Sequence, residues 1–253
     1  ISGYDVALKM RPGMTDRKTR HAGSTRIWHW INLIAIVVLF MSGLNISNAH
    51  PYLYWGNYGF SPEQAWLEVP RFPGWMTIPG FYSLAKARDW HLLMAFPFAF
   101  GLLFMWIAML WNGHFRRDLK TGKREWRWSA IRQDIVQHLR FDFSHEGSGK
   151  YNFLQKLAYG GVLGILLPGM ILTGLAISPG IEPTLWWLVD ILGGRQSARS
   201  IHFLFAWGLV GFFVVHVLLV LLTGPLGHLR AMTLGGEHEP TNPPFAKPKG
   251  DAA

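Results

Sequence analysis

Four long apolar stretches, a chain that is half hydrophobic, and a lopsided distribution of Lys and Arg predict an all-α membrane protein. The expected architecture is a four-transmembrane-helix bundle. The stretches are 26–44, 90–111, 153–177 and 199–223, each close to the ~20 residues that cross a hydrocarbon core as a helix. Hydrophobic residues make up 50% of the chain and there are 13 Trp. Lys and Arg number six in 1–26, nine in 112–150 and three in 224–253, against three in 45–89 and two in 178–199. The positive-inside rule then places the N- and C-termini and the 112–150 segment in the cytoplasm. The formal charge of +9 reads as topology, with no nucleic-acid partner implied. The expected organisation is an N-terminal segment over 1–25, a transmembrane domain over 26–223 and a cytoplasmic tail over 224–253.

The elements follow in order. Residues 1–25 are polar and basic, and Ser24 is a plausible N-cap for the first span. The run Arg26-Ile27-Trp28-His29-Trp30 opens that span. The loop 45–87 carries five Pro and many aromatics, which suits an interfacial or docking cap with short helices such as Ser61–Val69. The second span has His91 just inside its start and Pro97 as an expected kink. In 112–150, Trp126, Trp128, Ile131, Ile135, Val136 and Leu139 recur at near-helical spacing and predict a helix lying on the membrane surface. Pro168 interrupts the third span. Trp186 and Trp187 sit in a short stretch that reads as another interfacial helix, and 224–253 reads as a mobile, Pro-rich tail.

The fourth span carries the chemistry. It holds His202 and His216, and an ionisable side chain at membrane depth marks a functional site by default. Fourteen residues at about 100° each fall about 40° short of four turns, so both rings share a face, about 21 Å apart along the axis. Gly208 and Gly211 between them leave room for a bulky group beside the backbone. Topology supplies partners of matching depth: His91 with His202 near the outer side, His29 with His216 near the inner. Two stacked bis-imidazole sites suit the iron of two haem b groups, held without covalent attachment. Zinc asks for four ligands, and no Asp or Glu lies inside the spans. With no cysteine in the chain, Cys-ligated iron–sulfur clusters and c-type haem are excluded. The other seven histidines, at 21, 50, 114, 138, 145, 228 and 238, read as solvated surface.

These residues resemble the di-haem cytochrome b family of bacterial membrane oxidoreductases, the cytochrome b-561 type. Its members include the gamma subunit of formate dehydrogenase-N and the cytochrome b subunits of nickel–iron hydrogenase and thiosulfate reductase. The resemblance rests on Arg26-Ile27-Trp28-His29-Trp30, on Arg88-Asp89-Trp90-His91, on His202 with His216, and on Gly149-Lys150-Tyr151-Asn152-Phe153-Leu154-Gln155-Lys156 entering the third span. It covers about residues 20–230. The resemblance implies a multi-pass subunit of the bacterial inner membrane, passing electrons between a periplasmic molybdenum/tungsten or nickel–iron partner and membrane quinone, ubiquinone or menaquinone. It implies a quinone site beside the inner haem, with Asn152 and Gln155 as candidates. Arg26, Arg88 and Arg199, each within a turn of a proposed ligand, are candidates for the haem propionates. The alternative is a stand-alone di-haem quinone reductase fed by a small donor such as superoxide.

Overall fold

A computed structural model describes residues 23–111, 126–129, 131, 132, 136 and 153–235. Four of its helical stretches are long and apolar enough to cross a membrane. Helix α1 runs Gly23–Ala49 and α2 Leu84–Trp111. The third stretch is composite: α3, Phe153–Gly161, a π-helical turn Val162–Leu166, and α4, Leu167–Ala176. The fourth is α6, Arg195–Leu222, preceded by the short α5, Trp186–Ile191, and followed by α7, Pro225–Thr233. By contact the chain divides into two compact units, 1–29 with 215–253, and 30–214.

In the larger unit the break expected at Pro168 is a widened turn. Proline lacks an N–H and its ring would collide with the carbonyl four residues back. The π turn ends at Leu166, so Pro168 falls in the first turn of α4, where no donor is required of it. Pro97 lies inside α2, which continues through it. The interfacial helix foreseen around Trp186 is α5, and it packs Leu188 and Val189 against Ala176 and Ala198.

The outer loop differs from expectation. Ser61–Val69 is not a helix: a single 3₁₀ turn at Pro62–Gln64 ends at an extended Ala65. The chain then enters a two-residue antiparallel ladder, β1 (Tyr52–Leu53) with β2 (Leu67–Glu68). Val69 precedes Pro70, a position that disfavours helical backbone, and its N–H goes to Pro51 O at 2.8 Å.

Two asparagines of α1 organise the following loop. Fully buried Asn45 donates to Pro79 O (3.0 Å) and Phe81 O (2.9 Å), and Asn48 exchanges two hydrogen bonds with the Phe72 backbone. The hairpin tip is tied to α6 instead. Gly56 O accepts from the N–H groups of Gln196 and Ser197, and Gly56 N donates to Ser197 Oγ at 2.7 Å. Gly194, at φ 108°, permits this approach; a Cβ there would lie 2.5 Å from Gly56 O.

In the smaller unit, the span 215–222 ends at Thr223, and Gly224 at φ 104° turns the chain into α7. The opening of the expected tail is thus helical; the rest of it lies outside the described residues. So does most of the expected surface helix in 112–150, of which residues 128, 129, 131, 132 and 136 are helical.

Replacing Asn45 with Ala removes both of its bonds to the loop and leaves Phe81 O without this donor, while Pro79 O keeps Thr77 Oγ1; the loss is about 1–3 kcal/mol. The Asn45→Ala variant is expected to unfold at a clearly lower temperature in detergent, followed by circular dichroism. An unchanged midpoint would refute the organising role given to Asn45.

Candidate functional site

The four span histidines come together two by two. In the larger unit the ring centres of His91 (α2) and His202 (α6) lie 6.2 Å apart, inclined at 57°. In the smaller unit His29 (α1) and His216 (α6) lie 6.5 Å apart, inclined at 54°. Separations of this size occur between tilted rings in contact and also suit two imidazoles held on one atom. Two nitrogens each about 2.0 Å from a metal, with about 1.1 Å from nitrogen to ring centre, would put the ring centres about 6.2 Å apart. Among the described residues no group of three or more His, Cys, Asp or Glu could hold a metal. Two nitrogens suit an ion whose other ligands come from a macrocycle.

The larger unit also fixes which nitrogen each ring presents. Ser42 Oγ donates to Leu39 O (3.1 Å) and lies 3.0 Å from His91 Nδ1. Thr173 Oγ1 donates to Gly169 O (2.6 Å) and lies 2.8 Å from His202 Nδ1. Each hydroxyl has one proton. With that proton donated to the backbone carbonyl, the hydroxyl turns a lone pair to the ring; on this ground we assign the imidazole hydrogen to Nδ1, which leaves Nε2 its lone pair. This is the usual way a ligating histidine is held in one tautomer. A glycine follows each hydroxyl. A Cβ on Gly43 would sit 3.7 Å from His91 Cε1, and one on Gly174 would sit 3.5 Å from His202 Cε1.

Sequence reasoning missed these supports, though a signal existed. Ser42-Gly43-Leu44-Asn45-Ile46-Ser47 and Thr173-Gly174-Leu175-Ala176-Ile177-Ser178 are one motif written twice, each copy holding the histidine of another span.

The other candidates divide. Arg26 Nη1 donates to Thr233 O at 2.9 Å, so its guanidinium closes the C-terminal end of α7. Arg88 is exposed and Arg199 half-buried. His50, expected as solvated surface, is half-buried instead. Burial first, then Arg199 and Arg88, push its imidazole below the ordinary value. His50, Arg88 and Arg199 therefore share one region of the larger unit. Arg195 is committed elsewhere, to Glu182 and to Ile177 O. Asn152 lies outside the described residues; Gln155 falls within α3.

Residues 20–235 match the model of the prokaryotic cytochrome b561 family. The chain belongs to that family. A multi-pass b-type membrane cytochrome of this kind implies b-type haem. The chain is 29% identical over 207 residues (80% of this chain, 90% of the relative) to a putative protein-methionine-sulfoxide reductase subunit, YedZ1, of Azospira oryzae. It is 28% identical over 207 residues (76% and 74%) to a probable Ni/Fe-hydrogenase B-type cytochrome subunit of Cupriavidus necator. It is 26% identical over 215 residues (75% and 69%) to the putative cytochrome YdhU of Escherichia coli. No solved structure matches it significantly.

Thr173→Val keeps the side-chain shape and removes the acceptor beside His202. Loss of such a partner weakens retention at a metal site about 10–100-fold. The haem-to-protein ratio after extended dilution is expected to fall; a ratio equal to wild type would dismiss the hydroxyl as a support.

Proposed function

We propose that the chain is the membrane electron-transfer subunit of a multisubunit oxidoreductase, holding two b haems and exchanging electrons with membrane quinone. The observation that carries this reading is the pair of ring separations, 6.2 and 6.5 Å, with the Nδ1 of both His91 and His202 engaged by a hydroxyl.

In this reading His91 with His202 would hold one haem, and His29 with His216 the other. Bound haem supplies one-electron oxidation and reduction without a proton at the iron. The protein's own residues do the rest. Ser42 and Thr173 hold the rings in the ligating tautomer, while Gly43 and Gly174 leave the rings room beside the helices. The apolar faces of the spans keep water out; only 6% of the most apolar stretch of α6 is buried within the protein itself, which leaves its surface for lipid and cofactor. Arg88 and Arg199 offer positive charge to propionates on the outer side, and His50, held below its ordinary value by burial first and then by the two arginines, offers a neutral hydrogen-bond partner. Arg26 gives Nη1 to the carbonyl of Thr233, and its remaining donors and charge are available to a propionate of the inner haem. Asn152, at the basic entry to the third span, can give its amide to a quinone carbonyl, with Gln155 a turn away.

The relatives bear on the partner. One carries the name of a methionine-sulfoxide reductase subunit and another that of a hydrogenase cytochrome. Both names describe assembly with a catalytic oxidoreductase, and we assign this chain a partner of that class at the outer face of the inner membrane.

His202→Ala is expected to lower the haem content from two to one per chain, read by pyridine haemochrome assay and redox titration. Retention of both haems would sink the ligand assignment. Asn152→Ala is expected to slow quinol-driven haem reduction with haem content intact, measured by stopped-flow absorbance. Wild-type rates would remove Asn152 from the quinone site.

A further inference from the structure

Beside the hairpin, the cap holds a cleft of about 310 Å³ lined by Asn48, Arg71, Phe72, Thr77, Phe81 and Tyr82 among others. Asn48 is in the last turn of α1, and Tyr82 lies two residues before α2 begins. The cleft therefore opens where one span ends and the next starts, the level at which lipid headgroups meet a membrane protein.

Its walls are pinned. Asn48 holds Phe72 through both backbone groups. Thr77 Oγ1 lies 3.1 Å from Gly74 O and 2.9 Å from Pro79 O, tying the two sides of the turn. At Gly74 a Cβ would lie 2.2 Å from Gly80 O, so the two strands of this loop touch backbone to backbone.

Its charge is one-sided. The Arg71 guanidinium sits 5.5 Å from the Tyr82 ring centre, and the Lys86 ammonium 5.4 Å from that of Phe81. No carboxylate lines the cleft, and among the described residues none forms an ion pair with Arg71 or Lys86. Lys86 and Asp89, one helical turn apart, both lie outside the lining, and Lys86 adjoins it through the Phe81 ring. The lining rings of Phe81 and Tyr82 are 56% and 53% exposed, and Trp75, between lining residues Gly74 and Thr77 in sequence, is 80% exposed. Aromatic rings left this open beside cations match a ligand with an anionic head and an apolar body, and the depth in the membrane identifies which.

We propose that this cleft binds the phosphate of an anionic phospholipid headgroup. Arg71 and Lys86 hold the phosphate, and Trp75, Phe81 and Tyr82 pack along the glycerol and upper acyl chain. Its volume, at the lower end for small-ligand sites, suits a headgroup. The proposal is independent of the haem assignment.

The test uses the full chain in detergent, stripped of lipid, with native mass spectrometry counting bound molecules. The probes are dioleoyl phosphatidylglycerol, dioleoyl phosphatidylcholine and inorganic phosphate. Phosphatidylglycerol is expected to bind preferentially. Arg71→Gln and Lys86→Gln should each weaken it about fivefold, the worth of one cation at an anionic surface, while Arg71→Lys retains most of it. Equal binding of phosphatidylcholine would overturn the proposal, as would wild-type affinity in Arg71→Gln. Displacement of the lipid by equimolar inorganic phosphate would overturn the lipid assignment in favour of free phosphate. Should Arg71→Gln fail to fold, Lys86→Gln and Trp75→Ser, both at exposed positions, decide by the same criteria.

Discussion

An imidazole inside a bilayer has two nitrogens and no water to satisfy either. In the larger unit this constraint is met asymmetrically. One nitrogen of each ring is spent on a hydroxyl whose own proton is returned to the helix backbone, and the other is left for whatever lies between the rings. The glycines that follow the hydroxyls and the small residues nearby keep these contacts possible. Ser42 and Thr173 are almost fully buried, so their lone pairs have no solvent to turn to.

The same economy of buried polar groups shapes the cap. Besides the bonds within its ladder and turns, it is held to the ends of spans: Asn45 and Asn48 of α1 hold one part, and the first turn of α6 holds the hairpin. Ser200, also fully buried, donates to Tyr54 O and receives the indole N–H of Trp66. A segment with one short ladder and two 3₁₀ turns acquires a fixed conformation by borrowing the helices' rigidity. Trp66 in turn stacks on Trp55 at 5.4 Å, so an exposed aromatic pair is anchored two residues from His202.

The spans and the histidine pairs were legible in the sequence because both follow from periodicity and depth. Hydropathy marks the helices, and a fourteen-residue interval separates the two histidines of α6 that each find a partner. Pro168 was legible as an interruption, but not its form, because the widened turn depends on where α4 resumes. The cap was not legible. Ser61–Val69 has helix-compatible residues, yet the amides of Trp66 and Val69 go to Leu53 O and Pro51 O on the other side of the hairpin, and the Trp66 indole goes to Ser200 of α6. The placement of Arg26 was also beyond local reasoning. It reads as a cation beside a ligand, and one of its donors also reaches a carbonyl 207 residues on. The hydroxyl supports stood in plain view as a repeated six-residue run, and only the coordinates say that each copy serves another helix.

The hairpin's grip on α6 has a mechanical side. Gly56 occupies the free amides at the start of that helix, and Gly194 has no side chain to cushion the joint. Hairpin and helix end are therefore one lever: whatever presses on Trp55 or Tyr58 from outside applies torque to the rod that carries His202, and the imidazole feels the load through its own backbone.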